Sequence, residues 1–319
     1  MPAVRIGISG WTYAPWRGTF FPDDLPQRRE LAYAAERLST IEINGTFYSL
    51  QRADSFARWH DDTPKGFVFS VKGSRYITHL RRLKEPDAAL ANFFASGVLR
   101  LREKLGPFLW QLPPSFRYDR ERLESFFAAL PGDTLAAAKL ARRHDARVRH
   151  ASVPSGPRRR LRHVIEVRHA SFCQPEFVAL LRRHRIGLVV ADTAGKWPFM
   201  EDVTADLVYV RLHGGEELYT SGYGSAALAK WAKKIRAWHR GVDAPAARLT
   251  GPPTKWRARG RDVFVYFDND VKVRAPYDAM RLAWLLNGGP EPPRPPSARR
   301  IAEVARTKAP PVRRSRRKP

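Results

Sequence analysis

A chain of 319 residues, 43% of them hydrophobic, is long enough for one large domain or two ordinary ones with a sizeable core. Its single cysteine, Cys173, excludes an internal disulfide and suits a reducing compartment, and no apolar run approaches the roughly 20 residues of a membrane helix. The net charge of +26 favours anionic partners, small molecules or nucleic acid, and ten basic residues gather against Glu291 and Glu303 in residues 290–319. These features set the expectation of a soluble, cytoplasmic protein without a membrane partner or a leader segment, since the chain opens directly on strand-like Val4-Arg5-Ile6-Gly7-Ile8.

In chain order, β-like runs fall at residues 4–9, 40–44, 67–72, 108–112, 163–168, 187–191, 207–212 and 263–267. Amphipathic helical patterns lie between them, among others at 27–38, 86–105, 120–130, 175–184, 226–239 and 276–286. Ser225 is suited to cap the helix at 226, and Pro276 to a first helical turn. Strict alternation of β and α implies a parallel sheet, and eight repeats imply closure into one (β/α)8 barrel, which typically takes roughly 250 residues. No glycine-rich nucleotide loop follows the first strand, which argues against an open doubly wound sheet. The expected organisation is a barrel over 1–287, with a basic excursion at about 142–162 broken by Pro154, Gly156 and Pro157. A Pro/Arg-rich tail, 288–319, is expected to be disordered apart from a short helix near 298–305.

Side chains alternate between the faces of a strand, so parity sorts them. Glu42 and Asn44 oppose Ile41 and Ile43; Glu166 and Arg168 oppose Ile165 and Val167; Tyr209, Arg211 and His213 oppose Val208, Val210 and Leu212. The polar sets point into the barrel near the carboxyl ends of the strands, where barrel enzymes place their sites. Lys72, Gln111 and Asp192 occupy matching late positions. The following loops add Trp11, Tyr13, Tyr48, Arg75, His79, His169 and Asn269.

Charges inside a barrel require partners or a function. One reading is a structural network in which Glu42, Glu166 and Asp192 balance Lys72, Arg168 and Arg211. The other is a ligand site. In that site Lys72, Arg75, Arg168 and Arg211 hold an anion, with Asn44, Gln111, His169 and Asn269 as polar contacts and Trp11, Tyr13 and Tyr48 stacking on it. Glu42 or Glu166 then acts as acid or base, and His79 or His213 as proton carrier. The sequence leaves open whether this mouth catalyses or only binds. His79, His169, His213, Glu42, Glu166, Asp192 and Asp270 are metal ligands in kind, but no close-spaced ligand motif joins them and the cations repel a metal, so none is assigned. A glycosidase pair formed by Glu42 and Glu166 is a further candidate. No P-loop, nucleophile elbow or Cys-His arrangement occurs, so the cofactor is unknown; Cys173 reads as a space-filling residue.

Seven strings in order resemble the YecE-like family, domain of unknown function 72. They are Gly7-Ile8-Ser9-Gly10-Trp11-Thr12-Tyr13 with Trp16; Glu42-Ile43-Asn44-Gly45-Thr46-Phe47-Tyr48; and Lys72, Arg75 and Thr78-His79. Leu109-Trp110-Gln111-Leu112-Pro113-Pro114, Glu166-Val167-Arg168-His169, Tyr209-Val210-Arg211-Leu212-His213-Gly214 and Tyr266-Phe267-Asp268-Asn269 complete the series. Ile8 stands where the family often has threonine, and Asp268 where asparagine is common. The resemblance, over residues 4–287, implies a TIM-type barrel with a site at its mouth, and no established activity. A likeness of that fold to metal-dependent endonuclease barrels adds a phosphodiester hydrolase as one alternative. A non-catalytic nucleic-acid-associated protein using tail and excursion is the other. Oligomeric state is not encoded in any motif.

Overall fold

Parity along the strands predicts one aliphatic face for the surrounding helices and one for a lumen, and the chain closes in that way. The computed structural model describes residues 2–219, 221–254, 260–269 and 273–307. Eight parallel strands pair in sequence order and β8 returns to β1, forming a closed barrel. The strands are β1 (Val4–Ser9), β2 (Thr40–Ile43), β3 (Val68–Lys72), β4 (Leu105–Gln111), β5 (His163–Glu166), β6 (Gly187–Asp192), β7 (Leu207–Leu212) and β8 (Asp262–Phe267). Around them lie α1 (Glu30–Ala35), α2 (Gly45–Tyr48), α3 (Ala53–Asp61), α4 (Pro86–Ala95), α5 (Arg120–Ala129) and α6 (Thr134–Ala141). The chain continues through α7 (Pro175–His184), α8 (Ser225–His239), α9 (Ala275–Asn287) and α10 (Ala298–Thr307).

Two apolar clusters separate the layers. The lumen holds Leu109, Val164, Val189, Ala191, Leu207, Tyr209, Phe264 and Tyr266. The larger cluster, with Ile41, Ile43, Phe69, Val71, Trp110, Ile165, Val208 and Val210, packs the outer strand faces against the helices. In β1 the lumen position is Gly7, where a Cβ would stand 1.7 Å from the Thr40 carbonyl oxygen. No side chain fits there, so β1 can approach β2 closely.

Differences from the sequence expectation have local causes. The helix expected over 86–105 ends at Ala95, because Gly97 takes φ +112°; a turn over Val98–Lys104 then leads into β4, which begins three residues earlier than expected. Helices α3 and α6 are additional, the latter begun by Asp133 accepting from the Ala136 N–H at 2.8 Å. Gly224, not Ser225, is the capping position of α8, and Ser225 is its first residue. Strict alternation fails between β6 and β7, where residues 193–206 contain no helix. There the buried carboxylates of Glu201 and Asp202 accept backbone N–H bonds from Arg248, Thr250 and Gly251 at 3.0, 2.9 and 2.8 Å. The connection from α8 to β8 is thereby held over the strands that lack a helix.

Loops preceding strands occupy one end of the barrel and loops following strands the other. The excursion at 142–162 precedes β5 and so lies at the end opposite the mouth. It is stitched down by Ser152 N to Ala95 O at 2.8 Å and Leu161 N to Gly132 O at 2.9 Å. The expected tail helix forms as α10, which packs against the turn Ala14–Trp16 with Val304 buried. Residues 308–319 of the tail and Asp270 lie outside the described residues. No helix among the described residues is long and apolar enough to cross a membrane.

Candidate functional site at the barrel mouth

The late lumen positions of β2, β5, β7 and the residue just past β8 meet at one guanidinium. Arg211 is fully buried and lies 2.9 Å from Glu42, 2.8 Å from Glu166 and 3.0 Å from Asp268. Its Nε also donates to Glu42 Oε2 at 3.2 Å. The remaining lone pairs of Glu42 are filled by Ser9 Oγ at 3.0 Å and the Tyr209 hydroxyl at 2.5 Å. Glu166 Oε1 accepts from Gln111 Nε2 at 3.0 Å and Arg168 Nε at 2.7 Å. Burial resists charge on Glu166, yet Arg168 and Arg211 hold its carboxyl well below the usual range. Burial likewise opposes charge on Asp268, but Arg211 and His213 bring it down to about 2. Arg211 itself is shifted up despite burial, because Glu42, Asp268 and Glu166 surround it. His213 is fully buried, its Nδ1 2.9 Å from Asp268 Oδ2 and its Nε2 3.4 Å from Arg211 Nη1.

Above this floor the charge balance changes sign. The Arg168 guanidinium stands over Trp197, 3.9 Å from the ring centroid. The Lys72 ammonium stands 4.4 Å over the Phe47 ring, its residue 8% exposed, and among the described residues no carboxylate pairs with it. Burial, then Arg211, lower its pKa to about 8. His79, edge-on to Phe47 at 5.0 Å, is lowered to about 4 by burial and then by Lys72, Arg168 and Arg75, with Glu166 acting in the opposite sense. Arg75 is exposed at the rim.

The structure therefore brings together Glu42, Glu166, Gln111, Arg211 and His213 in the floor, with Lys72, Arg75, His79 and Arg168 above it. Other expected contacts have separate partners. The His169 ring accepts from the Ser171 N–H at 3.1 Å, and Asn269 Nδ2 donates to Ser221 O at 3.0 Å and Asp278 Oδ2 at 2.9 Å, tying β8 to the loop before α8. Trp11 packs edge-on against Trp59 at 5.3 Å, and the Tyr13 hydroxyl donates to Ser9 O at 2.5 Å. Tyr48 is 71% exposed, and Asn44 carries a buried Oδ1 that meets no partner among the described residues. Asp192 does not join the network. Val189 and Ala191 face the lumen, so Asp192 has the opposite parity and accepts from the Tyr223 hydroxyl at 3.1 Å. Cys173 is exposed rather than space-filling.

Sequence reasoning passed over Tyr209, Asp268 and Trp197 as site residues. The lumen parity of β7 and β8 carries a signal for the first two. Trp197 lies in the helix-free 193–206 connection, where no periodicity marks it. Among the described residues, no group of three or more His, Cys, Asp and Glu side chains is placed to hold a metal ion.

Fold and mouth together define a TIM-type barrel protein with a buried ion network and a cationic rim at the carboxyl ends of its strands. The family model described as "Protein of unknown function DUF72" matches residues 5–300, and the chain belongs to that family. A curated relative, the UPF0759 protein YunF of Bacillus subtilis (strain 168), is 25% identical over 125 residues, which is 38% of this chain and 43% of that protein. The match thus spans less than half of that relative's length. A DUF72 family protein from Thermotoga maritima MSB8 superposes with TM-score 0.68 at 23% identity, covering 89% of this chain and 98% of that one. Another, from Enterococcus faecalis V583, gives 0.62 at 17% identity, covering 92% and 100%. These likenesses show the fold.

Proposed function

We propose that the mouth binds a small anionic ligand, phosphorylated or carboxylated, over Lys72, Arg75 and Arg168, with His79 beside it. The observation that carries this reading is the setting of His79, which shares the Phe47 ring with Lys72 and on which Lys72, Arg168 and Arg75 each act more strongly than Glu166. Such an excess of positive charge raises the local concentration of anions. An arginine held over an aromatic ring presents a fork suited to a carboxylate or phosphate. Arg211 contributes indirectly. Its nitrogens face three carboxylates, so it fixes Glu42, Glu166 and Asp268 and through Glu166 sets the angle of Arg168. Proton transfer is assigned to Lys72, whose pKa burial lowers to about 8, rather than to Glu42 or Glu166, whose oxygens already accept from strong donors.

The basic excursion supports a nucleic-acid reading less well. Arg147, Arg158, Arg160 and Arg162 each meet a carboxylate: Asp145, Asp133, Asp206 and Asp262. Calorimetric titration with pyrophosphate tests the mouth. Wild-type protein is expected to bind, and Arg75→Gln to bind on the order of tenfold more weakly through loss of one charge-assisted contact. Equal affinity of the two would sink the proposal.

A further inference from the structure

Among the described residues two lysines are buried, and they differ in what surrounds their amines. Lys104 Nζ donates to His60 O, Thr63 O and Thr63 Oγ1. Lys72 Nζ faces an aromatic ring, and among the described residues no oxygen acceptor meets it. Among the described residues, the arginines of the inner mouth are tied to carboxylates: Arg168 to Glu166, and Arg211 to Glu42, Glu166 and Asp268. Lys72 is thus, among the described residues, the amine of the inner mouth that has no ion pair and no oxygen acceptor.

We infer that Lys72 forms an imine with an anionic carbonyl compound, a 2-oxo acid or a phosphorylated aldehyde, whose anionic group sits on Arg75 and Arg168. This deepens the anion-site reading and rests on it. Once a proton leaves the ammonium, the nitrogen lone pair makes the C–N bond while the carbonyl π pair moves to oxygen. That oxygen departs as water with two of the three original ammonium protons, leaving a protonated imine. One positive charge stands on each side, and no oxidant or reductant takes part. Burial supplies the neutral amine, since the fall of Lys72 to about 8 makes it available near neutral pH, where an exposed lysine is protonated. The iminium that forms is stabilised by Glu42, Asp268 and Glu166, whose charges act on this nitrogen.

The experiment is reductive trapping on the full chain. Pyruvate and glycolaldehyde phosphate, separately, are added with borohydride, and adducts are located by peptide mass mapping. Acetone serves as the uncharged carbonyl and lactate as the anion without a carbonyl. The expected result is an adduct concentrated at Lys72, with trapping rising through about pH 8, weaker with acetone, suppressed by lactate and absent in Lys72→Arg of unchanged melting temperature. The trapped probe distinguishes a 2-oxo acid from a phosphorylated aldehyde. Adducts scattered over exposed lysines such as Lys65 and Lys84, with no preference for Lys72, overturn the imine. If lactate still binds calorimetrically and loses affinity in Arg75→Gln, the anion site survives that failure. If neither lactate nor pyrophosphate binds or protects, both readings fall.

Discussion

Arg211 illustrates how one residue type serves two purposes that sequence alone cannot separate. An inward arginine near the end of a barrel strand fits an anion contact, yet here its guanidinium is closed off by three acids and no part of it is exposed. Two buried carboxylates, Glu42 and Glu166, depend on it. Arg211→Met is therefore expected to lower unfolding stability by about 3–5 kcal/mol, the usual result of stranding a buried charge. Urea denaturation checks this, and a loss below 1 kcal/mol would place the network's stability elsewhere. The neighbouring Tyr209 hydroxyl, whose proton is held by burial and by Glu42, is part of the same support.

At the scale of elements, strand parity explains most of the architecture, and the exceptions are positions where a neighbour overrides it. Gly7 stands in a lumen position that its parity would give to a side chain, because the Thr40 carbonyl of β2 occupies the space. Gly7→Ala is expected to spread the β1–β2 pairing at Gly7–Thr40 and destabilise the fold by about 1–3 kcal/mol, as overpacking does. A thermal melt unchanged from wild type would show that β1 can shift without cost. The helix-free 193–206 connection is the second exception. Its buried Glu201 and Asp202 look in sequence like surface acids of a loop, and their role depends on amides 47 and 48 residues later.

At the scale of the whole molecule, buried titrating groups set the response to acid. His163 is buried with its Nδ1 facing the Trp110 indole N–H at 3.2 Å and its Nε2 facing the Pro131 carbonyl at 2.9 Å. Burial lowers it to about 4. Between an unfolded value of about 6.5 and that folded value, the unfolded chain binds more protons, so stability falls on acidification by on the order of 3 kcal/mol. His79 acts in the same sense. Asp278, raised to about 6 by burial against the bonds from Asn269 and Tyr223, acts oppositely and offsets part of the loss between pH 6 and about 4. Asp268 stabilises the fold above about pH 4, and its contribution disappears as pH falls through about 2. Denaturation midpoints measured from pH 7 to 3 should decline less in His163→Gln than in wild type; parallel curves would remove His163 as the source.

The sequence by itself determined the eight strands, their order, the apolar outer faces and the polar late positions. These follow from local alternation and from the one ordering that closes parallel strands into a barrel. It could not determine which charges share a partner. Arg211 lies 169 residues from Glu42, 45 from Glu166 and 57 from Asp268 in the chain, and closure of the barrel alone brings them within hydrogen-bond distance. The same holds for Lys72. A lysine at the end of a strand reads as an ammonium in water, and only burial in the closed barrel, with Arg211 nearby, brings it down to about 8 against the pull of Glu42, Asp268 and Glu166. Local periodicity places a side chain on a face; its charge state depends on what the other strands bring to that face, through desolvation and Coulomb terms that no single segment contains.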